Sequence, residues 1–259
     1  MIALTHVPSV HMHAGLRTFV DRVPIDHGLA MKQHVAFRRM LGRCGAVVHN
    51  LDSNRHLADC AFVEDAAIVL DEVAILTSMG PAERRLELPV IGKELAKFRG
   101  LERVELPATL EGGDVLRVGR TLLVGISART NRAGIEALDR IVQPLGYKTM
   151  PVPVKGSLHL KTACTALDDQ TLLVNSRWLD REALGGFELA PVAEEEPWAA
   201  NVLRLGERIC MSSAHPRTID LIQKRGHTVE TVDLSEFAKA EAGITCLCIL
   251  FSDTASSHR

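Results

Sequence analysis

A repeated order of elements is the feature that most constrains how this chain folds. Two short apolar runs joined by a turn are followed by a charged, periodic stretch and then by a third apolar run. This order opens near residues 61, 114, 159 and 201, at intervals of roughly 53, 45 and 42 residues, the size of one supersecondary unit. The pattern therefore predicts a series of modules, each with strand, turn, strand, helix and strand.

The first full module shows the pattern most clearly. AFVEDAAIVLDEVAILTS predicts two strands around a turn at Asp71 and Glu72, ERRLELPVIGKELAKFRG a mostly helical stretch, and LERVELP a strand. The same order is predicted in DVLRVGRTLLVGIS, NRAGIEALDRIVQPLG and YKTMPVPV, in LHLKTACTALDDQTLLVNS with its downstream segment, and in NVLRLGERICMSS, PRTIDLIQKRG and HTVETVDL. Four modules follow from these segments.

A fifth module is due near residue 244, but the sequence ends there after the apolar, strand-like run GITCLCILF. The N-terminal segment supplies a strand in MIALTHV, a helix over roughly 28–43 and a strand in AVVHNL. Joining the two ends completes the fifth module, and a ring closed in this way hides the strand edges that an open array would expose.

We therefore predict an α/β fold, specifically a five-bladed α/β propeller of pseudo-symmetric ββαβ modules. The N- and C-terminal segments pair in one module and close the ring. Residues 1–259 form a single domain, with residues 252–259 as a disordered tail. The alternative is an open α/β sheet with frequent hairpins.

Composition favours small-molecule chemistry. The formal net charge is −2 and neither sign forms a long run, so we expect neither nucleic acid nor a membrane surface as a partner. No apolar run approaches about eighteen residues and no basic leader precedes one, which predicts a cytoplasmic protein. The six cysteines include no CxxC pair, so we expect reduced thiols and no metal site.

Candidate reactive side chains occupy equivalent points in different modules. Each lies at or just before the first strand of its module, and in a pseudo-symmetric ring such points face one central axis. The acidic residues of this set lie in 59–65 and at Glu111, and the others are His159 and Cys246. A thiol, an imidazole and a carboxylate are the parts of a nucleophilic cysteine system. Asn201 holds the same place in the fourth module, where we favour a strand-capping role over one lining the centre.

Several of these segments resemble the signature segments of the dimethylarginine dimethylaminohydrolases. This family belongs to the guanidino-modifying (pentein) superfamily, whose fold is a five-bladed α/β propeller. The similar segments are LADCAFVED, LEGGDVLRVG, GISARTNRAG, LHLKT and GITCLCILF, and the resemblance extends over about residues 1–251. Their number and order make the resemblance specific, since a single EGGD turn would be common.

The resemblance implies hydrolysis of Nω-methylated arginine, either asymmetric dimethylarginine or monomethylarginine, to citrulline and dimethylamine or methylamine. Cys246 is implied as the nucleophile that forms a covalent thiouronium intermediate. His159 is implied as the acid that protonates the departing amine, and Glu111 as the carboxylate that orients His159. No cofactor and no metal are implied.

The resemblance also implies which residues bind the two charged ends of the substrate. Glu64 and Asp65 are expected to accept from the guanidinium, with Asp65 favoured because successive strand residues face opposite ways. Arg84 and Arg129 are expected to hold the carboxylate, because arginine offers forked donors. Arg85 is an alternative to Arg84.

Asp59 is implied as the acceptor of the substrate α-ammonium, Leu16 as a lid residue and Ala240 as a further substrate-binding residue. One departure from the family pattern concerns specificity. Thr77-Ser78-Met79-Gly80 stands where many relatives have a Thr-Arg-Pro-Gly turn, so a basic and a rigid residue are both missing. This departure leaves the preferred guanidino substrate open.

Two other classes of function stay open. One is an arginine deiminase or amidinotransferase-like enzyme acting on another guanidino compound, although 259 residues with short connections favour the hydrolase. The other is a catalytically silent binding protein for cationic amino acids. In each case the partner is a small guanidino amino acid, and the sequence leaves a homodimer open.

Overall fold

The computed structural model describes residues 1–253, which form short strands and a few helices. The strands are β1 (Ile2–His6), β2 (Val47–Leu51), β3 (Ala67–Val69), β4 (Val73–Leu76), β5 (Gly100–Arg103), β6 (Val115–Val118), β7 (Thr121–Ile126), β8 (Lys148–Pro153), β9 (Cys164–Ala166), β10 (Thr171–Val174), β11 (Glu188–Pro191), β12 (Leu203–Leu205), β13 (Arg208–Ser212), β14 (Thr228–Val232) and β15 (Ile249–Phe251). The α-helices are α1 (His27–Arg43), α2 (Leu88–Leu95), α3 (Arg132–Val142), α4 (Leu160–Ala163), α5 (Pro216–Lys224) and α6 (Ser235–Ala238).

The described strands form five three-stranded sheets with one shared topology. In each sheet the central strand pairs antiparallel with one neighbour and parallel with the other, as β4 does with β3 and β5. The strand orders are β3-β4-β5, β6-β7-β8, β9-β10-β11, β12-β13-β14 and β15-β1-β2. A mixed α/β fold built from small sheets is therefore confirmed.

The fifth sheet joins the two ends of the chain, as the sequence predicted. β1 pairs antiparallel with β15, with Leu4 opposite Ile249, and parallel with β2, with Leu4 opposite His49. β15 therefore occupies the position of a first strand, β1 that of a central strand and β2 that of a third. The N-terminal strand thus depends on the C-terminal one for one of its two neighbours.

The connections between central and third strands differ in length. α1, α2, α3 and α5 fill this position in four sheets, and a parallel pair needs such a crossover. In the sheet that contains β10 and β11, the connection holds only the 3-10 turn Arg181–Leu184. The prediction of a helix in every module is therefore wrong at this point, because residues 175–187 make the crossover between these two parallel strands with a 3-10 turn and irregular backbone.

Short helical turns precede the first strands of four sheets. They are Val63–Ala66, Gly112–Asp114, α4 and Thr245–Leu247. The regions around Glu64 and Cys246 were predicted as strands, and both predictions are wrong. The candidate residues were predicted to lie at or just before a first strand, and the structure places these turns just before one and in contact with one another.

Apolar residues of neighbouring sheets share common cores. One of these cores contains Leu4 of β1, Ile249 of β15, Leu76 of β4 and Leu95 of α2, all at most 5% exposed. The sheet that joins the chain ends therefore packs directly on the sheet that follows it.

The predicted tail begins at residue 252, where the structure describes two residues. Arg99 donates to the backbone oxygen of Ser252 (2.5 Å), and the Ser252 hydroxyl donates to Asp71 (2.8 Å). Residues 254–259 lie outside the described part. No helix within residues 1–253 is long and apolar enough to cross a membrane, and the cytoplasmic location stays a prediction.

Replacing Leu4 by Ala is expected to lower the free energy of unfolding by about 2–5 kcal/mol, because it leaves a cavity where β1 meets β15. Val47→Ala on the adjacent strand is the control, since Val47 is 62% exposed and should cost less than about 1 kcal/mol. Urea unfolding of both variants measures the difference. Equal losses would contradict the role given to the joined sheet.

Candidate active site

Cys246 lies in the 3-10 turn Thr245–Leu247. The backbone N–H of the preceding residue, Thr245, donates to Asn201 Oδ1 (3.0 Å). The Cys248 N–H donates back to Thr245 O (3.3 Å), which closes the turn. A side chain that bonds the backbone in this way competes with strand pairing. The strand begins only at Ile249, so Cys246 and Cys248 do not share a strand face.

Glu64 and Asp65 both lie in the 3-10 turn Val63–Ala66, where the alternation of a strand does not apply. Their side chains have different partners all the same. Glu64 pairs with Lys161 Nζ (2.6 Å) and accepts from the Thr245 hydroxyl (2.7 Å), whereas Asp65 faces Arg84 and His159. The expectation of different directions is met, but the reason that the sequence suggested for it is wrong.

The imidazole of His159 lies between two carboxylates. Its Nε2 is 2.7 Å from Glu111 Oε2 and 3.7 Å from Asp65 Oδ1. The Gly113 N–H donates to the same Asp65 oxygen (3.1 Å). A Cβ on Gly113 would meet the imidazole ring at 2.7 Å, so glycine is needed for this close approach. His159, Glu111 and Asp65 therefore form one buried group.

Asp114 supports the same group, and it was not among the residues predicted from the sequence. Its two oxygens accept from the Leu160 N–H (2.9 Å) and from the Ser127 hydroxyl (2.6 Å), and it is fully buried. The Leu160 bond fixes the backbone next to His159. Burial raises the pKa of Asp114, although Ser127 and the charge of His159 oppose the rise. The sequence signal that could have identified Asp114 is its position at the end of the EGGD segment, residues 111–114.

The electrostatics of the group favour a charged imidazole. Burial disfavours the imidazolium, but the carboxylates of Asp65, Glu111 and Asp114 outweigh it and raise the pKa of His159 to about 9. Asp65 responds in the opposite sense. Burial opposes its ionisation, yet His159 and Arg84 together lower the pKa of its carboxyl. At neutral pH His159 therefore carries a proton to donate.

The thiol of Cys246 is held in its neutral form. The residue as a whole is partly exposed, but burial of its sulfur, together with the charges of Glu64 and Asp65, raises the pKa of the thiol far above the ordinary value. The Gly243 backbone and Lys161 only partly offset this rise. The charge of Asp65 thus acts on both Cys246 and His159. No hydrogen bond joins the sulfur to His159 within residues 1–253.

Asp65, Glu111 and His159 each offer a ligand atom within 4.8 Å of the others, a grouping that in geometry alone could hold a metal ion. A histidine that binds a metal must be neutral, with a free lone pair on the ligating nitrogen. His159 instead sits where its protonated form is favoured, and its Nε2 faces Glu111. The group therefore suits hydrogen bonding to cations better than metal coordination.

Arg84 does not match the role that the resemblance implied for it. It is 5% exposed, and its guanidinium donates to both oxygens of Glu87, to Asp65 (2.9 Å) and to the Phe62 backbone oxygen (2.8 Å). Four of five donors are thus engaged inside the protein. Arg84 holds Asp65 in place, and it is not free to grip a substrate carboxylate.

Arg129 and Arg85 lie nearby with fewer commitments to carboxylates. Arg129 Nη1 is 3.4 Å from Glu111 Oε1, with its side chain 12% exposed. Arg85 donates to the backbone oxygens of Met79 (2.7 Å) and Gly80 (2.6 Å), in the turn that departs from the family pattern. Of the arginines named from the sequence, Arg129 and Arg85 both keep charge for an anion, because Arg129 makes one long contact to a carboxylate and Arg85 contacts backbone oxygens.

The segment around Leu16 is fastened by two carboxylates. Asp59 Oδ2 accepts from the Leu16 N–H (3.1 Å), so the expected ammonium acceptor already contacts the expected lid. Glu241 accepts from the N–H groups of Thr18 (2.6 Å) and Phe19 (3.0 Å). Glu241 directly follows the buried Ala240 and has φ 63°, uncommon for a residue with a Cβ. No sequence signal pointed to Glu241.

The site as a whole contains more acids than bases. Buried carboxyl side chains connected through these contacts are those of Asp59, Glu64, Asp65, Glu87, Glu111 and Asp114. Basic side chains among them are those of Arg84, Arg129, His159 and Lys161. Burial raises the pKa of Glu64 and of Glu87 despite their basic neighbours. An additional cation would be stabilised in these surroundings.

The sequence matches known proteins along most of its length. Residues 89–209 match the arginine deiminase family model. The chain is 38% identical over 248 residues to an N(G),N(G)-dimethylarginine dimethylaminohydrolase of Streptomyces coelicolor, with 95% of both chains covered. It is 33% identical to the protein of that name from Pseudomonas aeruginosa, over 87% of this chain and 90% of the relative.

Solved structures agree with these matches. A cysteine-to-serine mutant of the Pseudomonas aeruginosa enzyme, complexed with citrulline, superposes with a TM-score of 0.91 at 31% identity, covering 96% of this chain and 98% of the other. A histidine-to-glycine mutant of a dimethylarginine dimethylaminohydrolase, an adduct with S-methyl-L-thiocitrulline, has the same TM-score at 30% identity, with the same coverage.

The raised pKa of His159 makes a prediction about stability. Because the folded protein binds this proton more tightly than the unfolded chain, the contribution is fully present below about pH 6.5 and is lost as pH rises through about 9. We expect the stability advantage of the wild-type protein over His159→Gln to shrink by on the order of 3 kcal/mol across that window. Urea unfolding at several pH values measures this difference, and a pH-independent one would contradict the assignment.

Proposed function

Because this chain belongs to the dimethylarginine dimethylaminohydrolase family, we propose that it hydrolyses Nω-methylated arginine to citrulline and dimethylamine or methylamine. One observation carries the proposal. His159 lies 3.7 Å from Asp65 in a buried group rich in acids, and the charge of this carboxylate raises the pKa of both the His159 imidazole and the nearby Cys246 thiol. Such a group suits a cationic planar substrate that must be attacked by sulfur.

The carboxylates are proposed to bind the guanidinium. A guanidinium carbon is a poor electrophile because its charge is spread over three nitrogens, so rigid positioning and a thiolate are both needed. Asp65, Glu111 and Glu64 supply acceptors around the position that faces Cys246. The arriving cation also opposes the acidic charges that raise the pKa of the thiol. Substrate binding thereby favours formation of the nucleophile.

The first half of the reaction forms a covalent intermediate. With the cation bound, the Cys246 thiol gives its proton to solvent water, and the sulfur attacks the guanidinium carbon to give a tetrahedral species. His159 donates its proton to the methylated nitrogen as the carbon–nitrogen bond breaks and the amine leaves. A cationic thiouronium remains on sulfur, and His159 is neutral. Glu111, at 2.7 Å, keeps the ring oriented through both protonation states.

The second half restores the enzyme. Neutral His159 takes a proton from water, and the hydroxide attacks the thiouronium carbon. The carbon–sulfur bond then breaks, the new hydroxyl group passes its proton to the departing sulfur, and neutral citrulline leaves the restored Cys246 thiol. Citrulline carries a neutral ureido group, so it no longer compensates the acidic residues. This loss of charge favours product release.

The amino-acid end of the substrate is assigned to three residues. Arg129 is proposed to bind the carboxylate, since the donors of Arg84 are already engaged. Asp59 is proposed to accept from the α-ammonium while it also holds the Leu16 N–H. In this arrangement closure of the lid and recognition of the ammonium use one carboxylate. Ala240 borders the same region through its backbone, next to Glu241.

We also propose that the five sheets close into a propeller that forms one domain. The pairing of β1 with β15 and the common cores between neighbouring sheets support a closed ring. A closed ring explains why turns from residues 63–66, 112–114, 160–163 and 245–247 meet at one site.

Arginine deiminase chemistry is the second candidate, because residues 89–209 match that family model. It would use the same thiol and imidazole but release ammonia from unmethylated arginine. The substrate, rather than the catalytic group, distinguishes the two candidates.

The deciding experiment is an incubation with asymmetric dimethylarginine, monomethylarginine, arginine and agmatine in parallel. Citrulline or another ureido product and the released amine are both measured. We expect the methylated arginines to be the preferred substrates. Faster citrulline formation from arginine would assign the deiminase reaction, and no product from any of the four would contradict both candidates.

Cys246→Ser provides the catalytic test within this assay. We expect turnover to fall by at least about 10³-fold, because the nucleophile is lost. Cys44→Ser is the matched control, since Cys44 is another partly exposed thiol that lies outside the acidic group. Equal activities in the two variants would rule out Cys246 as the nucleophile.

A further inference from the structure

Asn201 makes three side-chain hydrogen bonds to segments that lie next to the proposed catalytic residues. Its Oδ1 accepts from the Thr245 N–H (3.0 Å), and its Nδ2 donates to the Lys161 backbone oxygen (2.8 Å) and to the Thr245 hydroxyl (3.0 Å). A backbone donor on one side and a backbone acceptor on the other fix the orientation of the amide. Asn201 is 7% exposed, so water does not replace these bonds.

These bonds belong to a closed loop of contacts. The Thr245 hydroxyl donates to Glu64 Oε2 (2.7 Å), Glu64 Oε1 pairs with Lys161 Nζ (2.6 Å), and the Lys161 backbone returns to Asn201. The four residues come from the turns or connections that precede β3, β9, β12 and β15. The loop therefore links four sheets at the site.

The packing around the amide leaves little freedom. A Cβ on Gly243 would lie 2.2 Å from Asn201 Oδ1, so the chain before Cys246 passes against the amide itself. Thr245 directly precedes Cys246, and Lys161 follows His159 by two residues. One rigid planar group thus contacts both segments.

From this geometry we infer that Asn201 is a positioning residue for the reaction, which rests on the function proposed above. Its amide sets the separation between the turn that carries Cys246 and the segment that carries His159. Asn201 touches neither the sulfur nor the imidazole. It acts through Thr245 and Lys161, and the strand-capping role favoured from the sequence understates its contacts.

The consequence for catalysis follows because Cys246 and His159 must act on the same substrate group. Sulfur must reach the carbon while the imidazole reaches the departing nitrogen, and a displacement of about 1 Å can cost about 10²-fold in rate. Two of the carboxylates proposed to bind the guanidinium are held by contacts outside this loop, Asp65 by Arg84 and Glu111 by the Gly80 N–H. Glu64 belongs to the loop but keeps its ion pair with Lys161 when the Asn201 amide is removed. Loss of the Asn201 amide should therefore lower kcat far more than it raises KM.

The test compares Asn201→Ala with Asn175→Ala. Asn175 is also buried, donates through Nδ2 to a backbone oxygen, that of Pro197 (2.9 Å), and accepts from the Arg177 N–H (3.0 Å), but its side chain contacts neither catalytic segment. We expect kcat per active site, counted by stoichiometric alkylation of Cys246, to fall by about 10²-fold in Asn201→Ala. Asn175→Ala should lose stability while keeping its kcat.

Two further variants keep the inference testable if Asn201→Ala does not fold. Asn201→Asp retains the acceptor for the Thr245 N–H but places an oxygen against the Lys161 carbonyl, and it should also lower kcat. Thr245→Val removes the hydroxyl partner from the other side. Combined with Asn201→Asp, it should cost less than the sum of the single losses, because both act through one bridge.

Several results would overturn the inference. They are an unchanged kcat in both Asn201 variants, equal losses in the Asn201 and Asn175 variants, and additive losses for Asn201 and Thr245. Failure of the proposed function is recognised separately, on the wild-type protein. If that protein turns over arginine instead, the same ratios apply to that substrate, and if it turns over nothing the positioning role falls with the reaction.

Discussion

A surplus of buried carboxylates around one imidazole is the constraint on which the rest of this site depends. Asp65, Glu111 and Asp114 raise the pKa of His159 to about 9 against the effect of burial, and burial together with the charges of Glu64 and Asp65 keeps the thiol of Cys246 protonated. Buried charge of one sign is costly unless cations accompany it. Arg84 therefore pairs with both Asp65 and Glu87, and Lys161 pairs with Glu64. The negative charge that these cations leave uncompensated is balanced when a guanidinium binds, and it is uncompensated again when a neutral ureido product forms.

The fold explains how such a group is assembled. Five sheets share one topology, and the chain enters most of them through a short helical turn. A 3-10 turn directs consecutive side chains into different surroundings, so Glu64 contacts Lys161 while Asp65 contacts Arg84. Asn201 enters its sheet without a helical turn, and its amide joins the neighbouring turns instead. Similar backbone units thus provide different chemical groups at equivalent positions.

Much of this was accessible from the sequence, because period and order are properties of the chain itself. The spacing of apolar runs predicted the modules, and it placed His159 and Cys246 at or just before first strands. Turns formed by side chains bonding the backbone were not accessible, so Cys246 was assigned to a strand. Arg84 was misjudged for a related reason, since its commitment to Glu87, Asp65 and Phe62 exists only after folding. Glu241 contacts residues more than 220 positions away and had no local signal.

The most direct test of this account is the protonation of Cys246 with and without a cation beside it. The rate of alkylation of Cys246 by iodoacetamide is followed against pH, in sodium chloride and in dilute guanidinium chloride of equal ionic strength. We predict that the midpoint lies well above the ordinary thiol range in sodium chloride, and that guanidinium lowers it. A midpoint at or below the ordinary range, or one that guanidinium leaves unmoved, would contradict the claim that buried carboxylates govern the nucleophile.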